Sequence, residues 1–281
     1  MKAGLIEERE ESLEEKVLMR AYPTLLSLDS PHWISYLKEN LKAPQRPTTI
    51  LDREYAAMLY HTLLSKDLEA LGIISPEALI LSLSHWHPFI KELEAFLTMQ
   101  ENALSFLPQS PGVLYPCALE VYCHYTRNQI FAALGYDHPS SIREGVKFMT
   151  PEKSFAVTHP TDVFLVTLNK SDRDFSETTR YEDYSIDRMT FHWQSQSTTT
   201  PHSKTGQRYE RLCREKEKAG YILLFVRENK KDAYGGTQSY TFLGRVSIER
   251  LQGSQPMTAI LKLALPLSAG LLTETDASGV L

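Results

Sequence analysis

The stretch "GYILLFVREN" at residues 220–229 decides the fold of the second half of the chain. Six apolar residues stand between a glycine and a polar end, a pattern typical of a β-strand. Four further short runs, apolar or alternating, flank it at 161–170, 188–197, 238–248 and 257–267, and Gly, Pro, Asp and Ser separate them. Five strands spaced in this way predict a barrel or a strongly bent sheet.

The first 110 residues have a different pattern. Apolar residues recur at helical spacing in 12–28, 52–72 and 75–107, and Ser75 with Pro76 is a typical helix start. The proline-rich stretch 108–116 then predicts a linker. We therefore predict an α+β chain, with an all-helical domain at 1–112, a bent β-barrel domain with flanking helices at 113–270, and a disordered tail at 271–281.

Composition favours a cytoplasmic, soluble protein. No apolar run approaches the roughly 18 residues of a membrane span. The N-terminus "MKAGLIEEREESLEEK" is too acidic for a signal peptide. Three cysteines without a CxxC pair fit a reducing compartment and supply no zinc site, so we expect neither a metal nor a cofactor.

One enzymatic alternative remains open. Glu228-Asn229-Lys230 follows a hydrophobic strand, as the (D/E)-x-K triplet of a metal-dependent nuclease does. Asp162, Asp183 or Asp187 would supply the second carboxylate for a divalent ion. The chain has no P-loop motif of its own.

Residues 181–196 concentrate side chains suited to holding a nucleobase. Aromatic rings stack on a base that has left the helix, while carboxylates accept from the cytosine N4 amino group and amides satisfy its other polar edge atoms. Phe191 and Trp193 alternate along one strand, so at least one of them is expected in the core. The candidate base-binding residues are Tyr181, Asp183, Tyr184, His192, Trp193, Gln194 and Gln196.

A basic segment follows these candidates. Residues 201–231 hold nine Lys or Arg against four Glu, which favours contact with phosphates, although a solvated surface would have the same composition. The candidate DNA-backbone contacts are Arg180, Ser197, Thr198, Lys204, Arg208, Arg227, Lys230 and Lys231.

Several long blocks resemble one protein family. Residues 166–209, "LLFVRENKKD" (223–232), "YTFLGRVSI" (240–248) and "GSQPMTAILKL" (253–263) are similar to the family called domain of unknown function 3427. The resemblance covers about residues 113–268. It implies a barrel of the SRA/PUA type, placed in large bacterial proteins beside a phospholipase-D-type nuclease and a superfamily II helicase. Some of those proteins are type IV restriction enzymes.

The resemblance implies a function for this chain. We expect it to bind double-stranded DNA containing 5-methylcytosine or 5-hydroxymethylcytosine by base flipping, with its helical part coupling to helicase and nuclease domains or subunits. Neither catalytic domain is in the sequence, so we expect the chain not to be an enzyme. A protein-interaction module without DNA contact is the third hypothesis.

Overall fold

The computed structural model describes residues 11–86, 89–104, 107, 109–169, 183–233 and 235–267. Its α-helices are α1 (Leu13–Leu25), α2 (Pro31–Lys42), α3 (Ile50–Leu63), α4 (Lys66–Ala70), α5 (Pro76–Ser82), α6 (Phe89–Ala103), α7 (Arg127–Ala133) and α8 (Lys204–Glu215). Its strands are β1 (His124–Tyr125), β2 (Val146–Met149), β3 (Thr161–Thr167), β4 (Tyr184–Ser185), β5 (Thr190–Gln194), β6 (Tyr221–Arg227), β7 (Tyr240–Gly253) and β8 (Met257–Leu263).

Local signals in the sequence explain where helices begin. Ser12 caps α1 and exchanges hydrogen bonds with Glu15, so that two helix-end N–H groups are satisfied. Thr49 and Asp52 form the same capping box at α3. The predicted start of α5 at Ser75 is confirmed, since the Ser75 hydroxyl accepts from the Ala78 N–H. In the part of the chain described, no helix is both long and apolar enough to cross a membrane.

The strands form one mixed sheet in the order β2-β3-β6-β7-β8-β5-β4, and β1 pairs with β7 outside this path. β3 and β6 are parallel over seven residues, and the other pairs are antiparallel. Register shifts occur beside Leu224 on β6 and between Ile248 and Arg250 on β7. Such bulges bend and twist a sheet, so the strands curl into a half-barrel. The predicted fold class, α+β with N-terminal helices before a bent sheet with flanking helices, is confirmed.

Two hydrophobic clusters cover the two faces of the sheet. The larger one joins α1–α6 and α7 to one face, through residues such as Leu165, Phe225 and Phe242. The smaller one lies beneath α8 on the other face, where Tyr209 and Leu212 pack. The helical half therefore shares its core with the sheet.

The stretch predicted as a linker also packs into this core. Tyr115 is buried, and its hydroxyl lies 3.0 Å from the Thr161 hydroxyl on β3. The domain boundary at 112 stays a prediction, and the predicted tail 271–281 lies outside the described residues.

Two acid–histidine contacts join the turn before α2 to the segment before α7. The Asp29 carboxylate accepts from the His124 backbone N–H at 2.8 Å and lies 2.6 Å from its ring Nδ1. The buried Glu120 carboxylate accepts from the Ser30 hydroxyl and contacts the His32 ring. This junction fixes the helical half against β1.

Candidate nucleic-acid interface

Among the described residues, no helix covers one face of the sheet near β4 and β5. The register aligns His192 with Ile260 on β8 and Arg250 on β7, and it aligns Gln194 with Thr258. Aligned residues of antiparallel strands project on the same side of a sheet. We call this surface the open face, and its side chains are half-buried or exposed: Tyr184, His192, Gln194, Arg250, Gln252, Thr258, Ile260 and Lys262.

A stacked aromatic pair lies on the open face. Tyr184 on β4 is aligned with His192 on β5, and their rings are 4.6 Å apart with 13° between the planes. The tyrosine is 41% exposed although it belongs to a strand. Pairing of the edge strand β4 with β5 therefore presents a flat aromatic surface to solvent, of the kind on which a base can stack.

Polar groups surround this pair. The buried Asp183 carboxylate accepts the backbone N–H of Gln194 at 2.9 Å, which fixes the start of β4 against β5. The Gln194 side chain is half-buried on the open face, and Gln196 is exposed in the loop beyond it. The structure thus brings Asp183, Tyr184, His192 and Gln194 together, whereas Gln196 lies further along the chain.

Trp193 requires a correction. The sequence places it among the base-binding candidates, but its side chain is only 3% exposed and belongs to the core beneath α8. Its ring stacks on Phe164 at 4.1 Å and meets Tyr209 edge-on at 5.5 Å. Phe191 lies in the same core, because residues two apart on a strand share a side. The even-numbered residues of β5 consequently face outward, and both aromatic residues of odd number face inward.

The loop after β5 and the first residue of α8 carry three of the predicted backbone contacts. Thr198 and Lys204 are exposed and Ser197 is half-buried. The loop is held at its end, where the Ser203 hydroxyl accepts the Gly206 N–H and caps α8. Its position beside the Gln194 end of β5 places these side chains near the edge of the open face.

Arg208 has a structural partner. Its guanidinium donates to both carboxylate oxygens of Asp162 at 2.8–3.1 Å. Asp162 is buried on β3, and burial raises the pKa of its carboxyl to about 6 while the guanidinium opposes that rise. Arg208 is a predicted phosphate contact, but the ion pair with Asp162 holds its guanidinium between α8 and the sheet.

The basic candidates Arg227, Lys230 and Lys231 lie at or just beyond the C-terminal end of β6. Arg227 is 7% exposed, donates to the Thr167 hydroxyl and the Gln238 carbonyl, and lies over the Tyr240 ring. Burial makes the Arg227 side chain unsuited to the predicted phosphate contact. Lys230 and Lys231 are exposed just beyond it. Arg180 and Tyr181 lie outside the described residues.

The nuclease alternative finds no support in this geometry. Asp162 lies at the start of β3 and is paired with Arg208, whereas Glu228 follows the opposite end of the neighbouring parallel strand. Asp187 accepts the Met189 and Thr190 N–H groups of its own turn. Among the residues described, no cluster of three His, Cys, Asp or Glu side chains suits a metal ion.

Two cations on the open face are absent from the sequence-based candidates. Arg250 and Lys262 are exposed on the side that carries His192. The alternation in "MTAILKL" (257–263) contains the signal for Lys262, because its odd positions are buried and its even positions are not. Arg250 follows a register shift in β7, and a simple alternation does not place it.

The fold and this surface define a mixed α+β protein with a curled sheet and an aromatic, cationic face. The chain belongs to the family described as Domain of unknown function (DUF3427), whose model matches residues 119–274. No curated protein matches it. Among solved structures it is similar to Arabidopsis thaliana SUVH6 in complex with SAM, at 13% identity and a TM-score of 0.32. That alignment covers 86% of this chain, which spans 41% of the plant chain.

Proposed function

We propose that the chain binds double-stranded DNA containing 5-methylcytosine or 5-hydroxymethylcytosine on the open face, by taking the modified base out of the stack. It would be the target-recognition part of a type IV restriction system and work with helicase and nuclease domains or subunits. The stacked Tyr184–His192 pair carries the proposal, since a tyrosine at a sheet edge is exposed beside a polar surface. The resemblance of residues 113–268 to the family called domain of unknown function 3427, which implies an SRA/PUA-type reader of modified cytosine, supports the same function.

The neighbouring groups fit the parts of a nucleotide. The aromatic pair offers a stacking surface, and the Gln194 side chain offers an amide for the base edge. Arg250 and Lys262 supply positive charge on the same side of the sheet for the flanking phosphates. Ser197, Thr198 and Lys204 would extend this contact along the DNA backbone. In this scheme the chain itself does not cleave DNA. Its cytoplasmic location stays a prediction.

The proposal is tested by fluorescence anisotropy with three duplexes that differ only at one cytosine, which is unmodified, methylated or hydroxymethylated. All affinities are compared at one salt concentration, because phosphate contacts make binding strongly salt-dependent. Tyr184→Ala should weaken binding of the preferred duplex by about 5- to 150-fold, since a base–aromatic stack contributes about 1–3 kcal/mol. Equal affinity of the wild-type protein for all three duplexes would refute the proposal.

Tyr22→Ala is the matched control. Tyr22 on α1 is 40% exposed, almost the same as Tyr184, but belongs to the helical half. Its removal should leave all three affinities unchanged. A 2-aminopurine beside the modified cytosine provides a direct readout of flipping, because its fluorescence rises when its neighbour leaves the stack. A protein-interaction module without DNA contact would give no salt-dependent binding to any duplex.

A further inference from the structure

A second polar groove lies away from the open face. It has a volume of about 860 Å³ and runs between the end of α1, the segment from β1 into α7, and the loop that joins β6 to β7. Of the described residues that line it, none belongs to β4, β5 or β8. It is therefore distinct from the surface that carries the stacked aromatic pair.

Among the described residues, positive charge outweighs negative charge in this groove. Four Lys or Arg side chains of the described part line it against two carboxylates: Arg127, Arg143, Arg227 and Lys230, with Glu228 and Asp232. Both carboxylates contact other groups of the protein. Glu228 lies 3.4 Å from the Asn169 amide, and Asp232 accepts the Gly236 N–H at 2.8 Å.

Two of the cations, Arg127 and Arg143, have N–H groups that make no hydrogen bond to a described residue. Arg127 uses one terminal nitrogen to donate to the Ile142 carbonyl at 3.4 Å, whereas its buried Nε has no partner among the described residues. The second terminal nitrogen of Arg127 makes no hydrogen bond to a described residue, so an anion in the groove would find a donor there. Arg143 follows Ile142 in the chain and is exposed. These arginines come from the segment before β2, which is remote in sequence from Lys230.

The rest of the lining decides what kind of anion fits. Several lining residues carry hydroxyl or amide side chains, including Thr126, Asn128, Thr237 and Ser239. Of the described residues that line the groove, Tyr240 and His124 carry aromatic rings: Tyr240 is 2% exposed with the Arg227 guanidinium over its ring, and the His124 ring Nδ1 lies 2.6 Å from the Asp29 carboxylate. Sites for small organic ligands are mostly apolar and aromatic, whereas many of the described residues that line this groove are charged or carry a hydroxyl group. Its chemistry suits a chain of phosphates.

We propose that this groove binds the phosphodiester backbone of a DNA strand, independently of any cytosine modification. The inference rests on the proposed function only in taking DNA as the polyanion. Arg127, Arg143 and Lys230 contact the phosphates, and the hydroxyl-bearing side chains donate further hydrogen bonds to them.

The test measures how DNA affinity depends on salt for an Arg127→Gln/Arg143→Gln double variant. Each phosphate contact that is lost lowers the slope of log affinity against log salt by about 0.9. Between 50 and 200 mM salt, the fall in affinity should therefore be about tenfold smaller in the variant than in the wild type. Methylated and unmethylated duplexes should be affected alike, so their affinity ratio should stay at the wild-type value.

The control is Arg53→Gln/Lys153→Gln, which removes two exposed positive charges outside the groove. A salt slope of the groove variant equal to that of this control overturns the inference. Lys230→Gln, at an exposed position, should lower the slope by about one contact and covers the case in which Arg127→Gln fails to fold. Competition by deoxycytidine monophosphate as strong as that by an oligonucleotide would also overturn it, because the site would then hold a single small anion.

The two proposals fail separately. If the wild type discriminates methylated DNA and the groove variants keep the wild-type slope, the groove inference is wrong and the proposed function stands. If the wild type binds all duplexes equally and the groove variants lose salt-dependent binding, the groove inference stands and modified-cytosine reading is wrong.

Discussion

Replacement of Glu54 by glutamine should change how the stability of the protein depends on pH. Glu54 lies on α3 with no exposed surface, and its Oε2 accepts the backbone N–H of Ala118 at 2.6 Å. Its Oε1 has no partner among the described residues. Burial raises the pKa of the Glu54 carboxyl from 4.5 to about 9, against the opposing effect of the Ala118 N–H. The native protein therefore holds this group neutral over most of the accessible pH range.

The sign and size of the effect follow from linkage. Above pH 4.5 the unfolded chain ionises Glu54 while the folded chain does not, so stability falls as the pH rises towards 9. Each pH unit in that window costs about 1.4 kcal/mol. Glutamine does not ionise in this pH range, so the variant lacks this contribution to the pH dependence of stability. From pH 5 to pH 8, Glu54→Gln should gain on the order of 4 kcal/mol in unfolding free energy relative to the wild type.

Urea unfolding of both proteins at pH 5, 6, 7 and 8 measures this difference. Other titrating groups are common to the two chains, and their contributions cancel in the comparison. Glu77→Gln is the control, since the Glu77 side chain is 47% exposed beside Arg46, and its offset from the wild type should vary little with pH. A constant offset between Glu54→Gln and the wild type across this range would refute the reasoning.

Two further substitutions test the core beneath α8. Trp193→Ala should cost about 3–5 kcal/mol in urea unfolding, because it empties the space between Phe164 and Tyr209, and an unchanged midpoint would show that the ring is not core. Gly206→Ala would place a Cβ 1.9 Å from the Thr200 carbonyl oxygen, so it should cost about 1–3 kcal/mol and lower the thermal midpoint. A melting curve identical to that of the wild type would contradict this close contact.

The sequence predicts the strands whose burial is uniform or cleanly alternating. β3, β6 and β8 fall inside the predicted runs, because hydrophobic pattern alone defines them. β1 and β4 are two residues long, and their pairing with β7 and β5 depends on distant chain segments. No local pattern can therefore reveal them. The sequence does not predict α8 either, because residues 204–215 carry many charges and have the composition of a basic surface patch.

The residues of the candidate site also differ in how far the sequence predicts them. The cluster around Tyr184 and His192 follows from residues that are close in sequence, and β4–β5 pairing brings them together. Which side of β5 faces the core depends on α8, whose position the sequence does not reveal, so the sequence alone does not assign Trp193 to the core. Arg127 shares a groove with Lys230 only through tertiary packing.

β7 runs from the groove to the open face, so its length limits the distance between the two surfaces. Tyr240 and Thr241 at its start line the groove, and Arg250 near its end lies on the open face. The ten residue steps from Tyr240 to Arg250 span at most about 33 Å at 3.3 Å per residue, and the bends of β7 shorten that reach. With 3.4 Å between base pairs, this length corresponds to about ten base pairs. The shortest duplex that engages both surfaces is thus set by the length of one strand.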